Sequence, residues 1–248
     1  MKTVYYENTE EDFITSKNQK YELKENYKWI HNNIFYTICS YLIYYPFVIF
    51  GFIYTKLILR VTVKNKKVLK GYKGYYYYSN HTQEIGDIFN PVIANFPRRP
   101  YFICSPANLG IPVLGKLLPI LGALPIPNSV HGMIKFNDAI KTRSSKHPLI
   151  IYPEAHLWPW ATEIREFKGS SFKFPVENKL PMFIATTTYQ KSKIFKKPKI
   201  TIYLDGPYFK DDKLSRKENI SKLHDIAYDV MVKRTKNSNY SYIEYKKK

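Results

Sequence analysis

Residues 75–87 read YYYYSNHTQEIGD, and this stretch decides the fold class. Four consecutive β-forming aromatic residues predict a short strand over 75–78. The residues after the loop predict a helix over 84–94 that stops before Pro97. The loop holds His81 and Asp87, a pair that suffices for general-base catalysis on a hydroxyl. Spacing alone favours the plainer alternative, a helix-capping loop in which His81 only hydrogen-bonds the backbone.

Strand and helix signals alternate along the rest of the chain. Further strands are predicted over 61–63, 101–104, 149–152, 182–188 and 199–204. A helix is predicted from Asn128 or Ser129 to about residue 142, and a last helix begins at the capping box of Ser215 and Glu218. This order predicts an α/β fold with a mixed, largely parallel sheet flanked by helices. The lysine-rich tail after Lys233 is expected to be loose.

The N-terminal part carries a segment without a single charge, from residue 32 to residue 55. Its apolar stretch, continuing to residue 59, exceeds the roughly 20 residues that span a bilayer, and a buried core helix rarely lacks a charged face. Lysines flank it on both sides, which favours a re-entrant, monotopic segment bent between Pro46 and Gly51, on the cytoplasmic face. A single spanning segment is the alternative topology. We therefore predict two parts. Residues 1–59 form a polar arm or amphipathic helix (1–33) plus this membrane-embedded helical segment, and 60–248 form the catalytic domain.

The chain is strongly basic, with 39 Lys and Arg against 20 Asp and Glu and a net charge of +19. Such a charge points to polyanionic partners, either an anionic lipid surface or nucleic acid. The apolar segment favours membrane lipids, and no nucleic-acid-binding motif is present, so no nucleic acid is expected. Two cysteines are too few for a disulfide framework or a cysteine-rich zinc site.

A second informative stretch, YPEAHLWP over 152–159, places Glu154 at the end of an apolar strand. The plain alternative is a surface carboxylate paired with Arg165 or Lys168. A metal site is a third reading, but no spacing typical of metal ligands supports it. Its candidate ligands are His81, Glu84, Asp87, Glu154 and His156.

Several ordered blocks resemble the glycerolipid acyltransferases, the 1-acylglycerol-3-phosphate acyltransferase family. They are NHTQEIGD (80–87), IPVLGKLLPILGALPIPN (111–128), IYPEAHLWP (151–159), EFKGSSFKFP (166–175), LPMFIATTT (180–188) and LDGPYF (204–209). Their order and intervals match the family over roughly residues 75–208. Four or more ordered blocks are far more specific than one His–Asp pair.

The resemblance implies a membrane-bound enzyme of phospholipid biosynthesis or remodelling. His81 is then the general base that takes the proton of the acceptor hydroxyl, and Asp87 orients it. The hydroxyl attacks an acyl thioester directly, so no cofactor is needed beyond the donor substrate, acyl-CoA or acyl-carrier protein. The acceptor is of the lysophospholipid type. Residues predicted to bind substrate are Asn80, Glu154, His156, Arg165, Lys168 and Gly169.

Three departures from the family pattern stand out. Asp87 follows His81 by six residues where the family has five, so one residue, expected to be Gly86, must loop out, and Glu84 is an alternative partner. The family's phosphate-binding arginine after GALPI is replaced by Pro127–Asn128, and the arginine after PEG is also absent. Neither replacement grips phosphate bidentately, so Arg165, Lys168 or His156 is expected to substitute.

Two further hypotheses stay open at this point. The departures suggest a non-catalytic lipid-surface protein of the same fold as the second interpretation, and the basic charge a nucleic-acid binder as the third. The apolar stretch 109–127 is broken by prolines and glycines. It lies either against the bilayer, admitting acyl chains, or in the core beside the site.

Overall fold

A computed structural model describes residues 2–14 and 20–248. The strands are β1 (Lys2–Tyr6), β2 (Thr62–Lys64), β3 (Tyr75–Ser79), β4 (Tyr101–Cys104), β5 (Ala123–Pro125), β6 (Pro148–Ile151), β7 (Met182–Gln190), β8 (Lys199–Tyr208) and β9 (Ile243–Lys247). The helices are α1 (Ile34–Ile53), α2 (Gly86–Asn95), α3 (Leu114–Leu121), α4 (Val130–Ser144), α5 (Lys173–Asn178) and α6 (Arg216–Thr235). A π-helical turn, Tyr54–Ile58, continues α1.

Seven strands form one sheet in the order β2-β8-β7-β3-β6-β4-β5. All neighbours are parallel except β7 and β8, which run antiparallel. The predicted fold class is therefore confirmed. Strand β3 lies in the middle, and its four tyrosines are almost completely buried. A parallel strand covered on both faces is buried throughout, which explains why these residues do not alternate with polar ones.

The two faces of β3 enter two separate cores. Tyr76 and Tyr78 pack with α4, α5 and α6, whereas Tyr75 and Tyr77 pack with residues of β7 and β8 and with the segment that follows α1. The hydroxyls of Tyr75, Tyr76 and Tyr78 have hydrogen-bond partners, such as the amide oxygen of Asn95 at 2.5 Å from the Tyr75 oxygen. The strand thus anchors both layers and sets the position of the loop at its carboxyl end.

Most predicted elements are present with small shifts. The strand over 101–104 has the predicted bounds, and Ser215 and Glu218 form the predicted capping box at the start of α6. The broken stretch 109–127 contains the short elements α3 and β5, and Gly122 ends α3 in a left-handed conformation. Strand β8 continues four residues beyond its predicted end at residue 204.

The prediction of a loose tail is wrong. Residues Ile243–Lys247 form β9, which pairs in parallel with β1 from the other end of the chain. The ring of Tyr245 lies 4.7 Å from that of Trp158, and its hydroxyl donates to the carbonyl of Pro159 at 2.9 Å. Main-chain pairing and this aromatic anchor order the tail despite its lysines.

The predicted re-entrant hairpin, turning between Pro46 and Gly51, is also wrong, because α1 continues as one helix through both residues. Proline removes one helical hydrogen bond, and the turns on either side keep theirs. Gly51 instead allows close packing: a Cβ there would lie 2.5 Å from the Phe89 ring of α2.

Helix α1 has two unlike faces. One stripe, comprising Ser40, Tyr44, Val48 and Gly51, is buried against the body, and the Ser40 hydroxyl donates to the carbonyl of Ile120 in α3 at 2.8 Å. The opposite face exposes large apolar side chains along the helix: Ile34, Phe35, Ile38, Leu42, Ile49, Phe50 and Ile53. The stretch Ile34–Ile58 is long and apolar enough to cross a membrane.

Among the described residues before Ile34 there is no helix, so the amphipathic-helix option for 1–33 fails there; residues 15–19 lie outside the described part. Residues 2–14 instead pack on the body as an N-terminal arm. The Tyr6 and Phe13 rings contact Trp158 at 4.7 and 5.1 Å. The division into 1–59 and 60–248 stays a prediction.

The contact of Gly51 with Phe89 gives a test of the packing of α1. Gly51→Ala should lower the free energy of unfolding by about 1–3 kcal/mol, because the added methyl overlaps the ring. Thermal unfolding in detergent measures it. In the double variant Gly51→Ala/Phe89→Leu the two losses should not add, since the smaller side chain makes room. An unaltered unfolding temperature for Gly51→Ala would contradict the packing.

Candidate functional site

His81 lies in the loop that leaves the carboxyl end of β3, beside the end of the parallel neighbour β6. This edge is where parallel sheets place functional loops. The imidazole is 23% exposed, and its face stacks on the ring of Tyr152 with centroids 4.4 Å apart. The side chain is therefore held by packing and still reaches the surface.

Asp87, in the first turn of α2, is the carboxylate that contacts the imidazole. Its Oδ2 lies 2.7 Å from His81 Nδ1 and accepts hydrogen bonds from the backbone N–H groups of Thr82 and Gln83, both at 2.9 Å. The Asp87 side chain is 4% exposed, whereas Glu84 is exposed. Of the two predicted partners, Asp87 is the one in place.

The extra residue between His81 and Asp87 is not accommodated at Gly86, contrary to expectation. Gly86 is the first residue of α2, and the spacing is taken up by the turn before it. Glycine is needed there because a Cβ would lie 2.8 Å from the Gln83 Cβ and 3.1 Å from the Leu59 side chain. The helix can start this early because the Asp87 amide donates to the Gln83 carbonyl at 3.0 Å.

Two tyrosines that sequence reasoning missed complete the loop. The Tyr152 hydroxyl donates to the Asp87 carbonyl at 2.5 Å. The buried Tyr189 hydroxyl donates to Thr82 Oγ1 at 2.6 Å and accepts from the Gln83 side-chain amide at 2.9 Å. Tyr152 directly precedes Pro153–Glu154, and this position in the motif could have indicated that it lies near the site. No sequence motif marks Tyr189.

Glu154 is buried and holds the same loop from the other side. Its Oε2 accepts from the backbone N–H of His81 at 2.8 Å, and its Oε1 accepts from the backbone N–H of Arg165 at 3.0 Å. The Arg165 Nε lies 3.6 Å from Oε1. Burial raises the pKa of the Glu154 carboxyl above its usual value, against the opposing effect of Arg165. The plain expectation of a surface carboxylate does not hold, although the pairing with Arg165 does.

The three residues expected to replace the missing arginines all contact the N-terminal arm. Arg165 is largely buried, lies over the Trp158 ring at 4.7 Å and donates to the carbonyls of Thr9 and His156. Burial lowers the pKa of its guanidinium from the usual value.

The other two pair with acidic residues of the arm. His156 Nδ1 lies 3.1 Å from Asp12 Oδ1, and the exposed Lys168 Nζ lies 3.0 Å from Glu10 Oε1. The arm therefore presents carboxylates to the basic side chains predicted to bind phosphate.

Asn80 and Gly169 have structural surroundings. Asn80 is fully buried, and its amide exchanges two hydrogen bonds with the backbone of Thr187 in β7, at 2.8 and 3.1 Å. Gly169 begins a single helical turn and lies against Ile220 and His224 of α6. Direct substrate contact by either residue stays a prediction.

The arrangement suits proton removal at His81 Nε2. In the tautomer with the proton on Nδ1, that N–H donates to the Asp87 carboxylate and the lone pair resides on Nε2, on the side of the ring away from Asp87. No group of three or more His, Cys, Asp or Glu side chains able to hold a metal ion occurs in the described parts of the chain.

Glu154 can be tested as the brace of the His81 loop. An amide has only one oxygen, so Glu154→Gln leaves either the His81 or the Arg165 backbone N–H without an acceptor. We expect the free energy of unfolding to fall by about 1–3 kcal/mol in a denaturant titration. Glu163→Gln, at an exposed glutamate nearby, should change it by less than about 0.5 kcal/mol. Equal effects in the two variants would refute the bracing role.

Comparisons with known proteins place the fold. No known family's profile matches the sequence, and no curated protein matches it significantly. The structure resembles the crystal structure of the 1-acyl-sn-glycerophosphate (LPA) acyltransferase PlsC from Thermotoga maritima, with a TM-score of 0.58 and 16% sequence identity. The match covers 84% of this chain and 89% of that chain. At this identity the likeness establishes that the chain has a PlsC-like fold.

Proposed function

We propose that this protein is a membrane-bound acyltransferase that moves a fatty acyl group from an acyl thioester to a hydroxyl of a lysophospholipid-type acceptor. The observation that carries the proposal is the contact of 2.7 Å between His81 Nδ1 and a buried Asp87 carboxylate, at the carboxyl end of the central strand. The PlsC-like fold supports it, because that protein is an acyltransferase.

In the proposed mechanism, His81 Nε2 takes the proton of the acceptor hydroxyl as its oxygen attacks the thioester carbonyl carbon. The resulting imidazolium is stabilised by Asp87. The tetrahedral intermediate collapses, the carbon–sulfur bond breaks, and the proton passes from His81 to the leaving thiolate. The products are the new ester and the free thiol, and His81 returns to its neutral form.

The position of α1 supports a membrane substrate. Helix α2, whose first turn carries Asp87, packs on α1: the Phe89 ring lies 5.7 Å from that of Phe50, and Gly86 adjoins Leu59. The exposed apolar face of α1 offers a surface for insertion into one leaflet. Val113 and Leu117 near or on α3 are also exposed, in keeping with the prediction that part of 109–127 faces lipid. The dyad would then lie close to the bilayer surface.

The basic side chains support an acidic substrate but leave its headgroup open. The net charge of +19 favours anionic lipid and a polyanionic donor such as acyl-CoA or an acyl-carrier protein. Arg165 is committed to Glu154 and to the arm, so Lys168 and His156 are the more accessible candidates for an acceptor phosphate. The family arginines that would define lysophosphatidic acid as the acceptor are absent.

The first test is ester formation. The purified protein is incubated with an acyl-CoA and a panel of lysophospholipids, and the new ester is detected by mass. His81→Ala should lower the rate by about two to four orders of magnitude, because the base is lost. Glu84→Gln, at the exposed glutamate of the same loop, should keep the wild-type rate.

If His81→Ala retained the wild-type rate, the general-base assignment would fall. If the wild-type protein formed no ester with any donor and acceptor tried, the second candidate would gain support: a lipid-surface protein of the same fold without catalysis. The ion pairs between the arm and the basic side chains are the observation in its favour.

The arm gives a second test. In the double variant Glu10→Gln/Asp12→Asn, Lys168 and His156 lose their acidic partners and become available to an acceptor phosphate. We expect the KM for a phosphomonoester acceptor to fall several-fold with kcat little changed, because surface ion pairs of this kind contribute up to about 1 kcal/mol.

The matched control is Glu22→Gln/Glu25→Gln, which removes the same charge from exposed positions outside the contact. A KM that changes equally in both double variants would show a general charge effect. An unchanged KM in Glu10→Gln/Asp12→Asn would contradict acceptor binding at these side chains.

A further inference from the structure

A cavity of about 200 Å³ lies at the opposite edge of the sheet from the His81 loop. Its lining includes Tyr101 and Ala123, the first residues of β4 and β5, and His147, directly before β6. These positions mark the amino ends of the parallel strands, whereas His81 follows a carboxyl end. Tyr36 and Tyr41, in the first turns of α1, form another wall. The cavity therefore adjoins the membrane helix without belonging to the acyl-transfer site.

The cavity is lined by cationic groups and by no acidic residue of the described chain. Arg99, Arg143 and Lys28 line it, together with His31 and His147. Arg99 is 6% exposed, and neither arginine has an ion-pair partner within the described ranges. Burial, reinforced by the Arg143 charge, lowers the pKa of both histidines. Buried cations without counter-charges are unfavourable, and a bound anion would remove that cost.

Hydrogen-bonding capacity also remains unused. The Nε atoms of Arg99 and Arg143 are both inaccessible and lack a partner. Arg99 does donate from Nη2 to the Ser40 hydroxyl at 2.8 Å and to the Ile120 carbonyl, which fixes the guanidinium in place. Arg143 donates no side-chain hydrogen bond to any described residue. Guanidinium groups with free donors are suited to bidentate binding of phosphate oxygens.

The two guanidinium groups share an aromatic neighbour. Both lie over the ring of Tyr101, Arg99 at 5.5 Å and Arg143 at 4.6 Å, and Arg99 also lies 4.6 Å from the Tyr44 ring. Two like charges that contact one ring repel each other, and an anion bound near both would offset that repulsion. This preorganisation lowers the entropic cost of binding such an anion.

We propose that this cavity is a phosphate-binding site, separate from the acyl-transfer site and independent of whether the chain catalyses acyl transfer. Two sources share the chemistry: the headgroup of an anionic phospholipid, and free inorganic phosphate. The neighbouring face of α1 carries the exposed apolar residues Ile34, Phe35 and Ile38. A lipid headgroup in the cavity would have its acyl chains beside them.

The test compares Arg143→Gln with Lys116→Gln. Both remove one positive charge, and Lys116 is exposed on α3 and does not line the cavity. Titration of the wild-type protein with inorganic phosphate at constant ionic strength should give saturable binding. Arg143→Gln should weaken it about ten- to hundredfold, whereas Lys116→Gln should leave it unchanged. Lys28→Gln serves as a second cavity variant if Arg143→Gln unfolds.

Vesicle flotation distinguishes the two sources. The wild-type protein and each variant are incubated with phosphatidylcholine vesicles, with and without phosphatidic acid, and the fraction of protein that floats with the vesicles is measured. A loss of the preference for phosphatidic acid in Arg143→Gln alone supports a lipid headgroup, and phosphate binding without such a preference supports free phosphate. Equal losses in Arg143→Gln and Lys116→Gln, or no saturable binding by the wild type in either arm, would overturn the site.

Discussion

Two buried carboxylates hold the loop on which the candidate site depends. Asp87 accepts from the Thr82 and Gln83 amides and contacts the imidazole of His81, while Glu154 accepts from the His81 amide on the opposite side. Burying a carboxylate is costly, and each N–H donor offsets part of that cost. The donors come from the loop itself, so the carboxylates are stabilised only when the loop has this conformation. His81 is thereby oriented by groups that do not need to move during a reaction.

Much of the fold could be predicted because its signals are local. Buried parallel strands are recognisable in the sequence as short apolar runs, and the capping box at Ser215 marks the start of the last helix. The pairing of β1 with β9 joins residues more than 230 positions apart, and nothing local in a lysine-rich tail indicates it. The prediction of a re-entrant turn near Pro46 was wrong for a related reason. Whether a helix tolerates proline and glycine depends on what packs against it, here Phe89 against Gly51.

The sequence could point to the residues of the candidate site, but not to most of their contacts. Motif order indicated His81, Asp87 and Glu154, and in the structure Asp87 and Glu154 both contact His81 in the loop after β3. The pairing of the N-terminal arm with the basic side chains, and the support from Tyr189, depend on tertiary packing between distant segments. The same is true of the arginine cavity beside α1, whose members are scattered over more than 100 residues. The spacing of residues along the sequence does not indicate such tertiary contacts.

The central claim is that Asp87 fixes the His81 tautomer so that Nε2 is the free base. Nitrogen-15 NMR of the imidazole in the histidine-labelled wild-type protein tests it directly, with His81→Gln to assign the signals. The account predicts that at a pH where His81 is neutral the proton resides on Nδ1, and that Asp87→Asn abolishes this preference. A neutral His81 protonated on Nε2 in the wild-type protein would contradict the account.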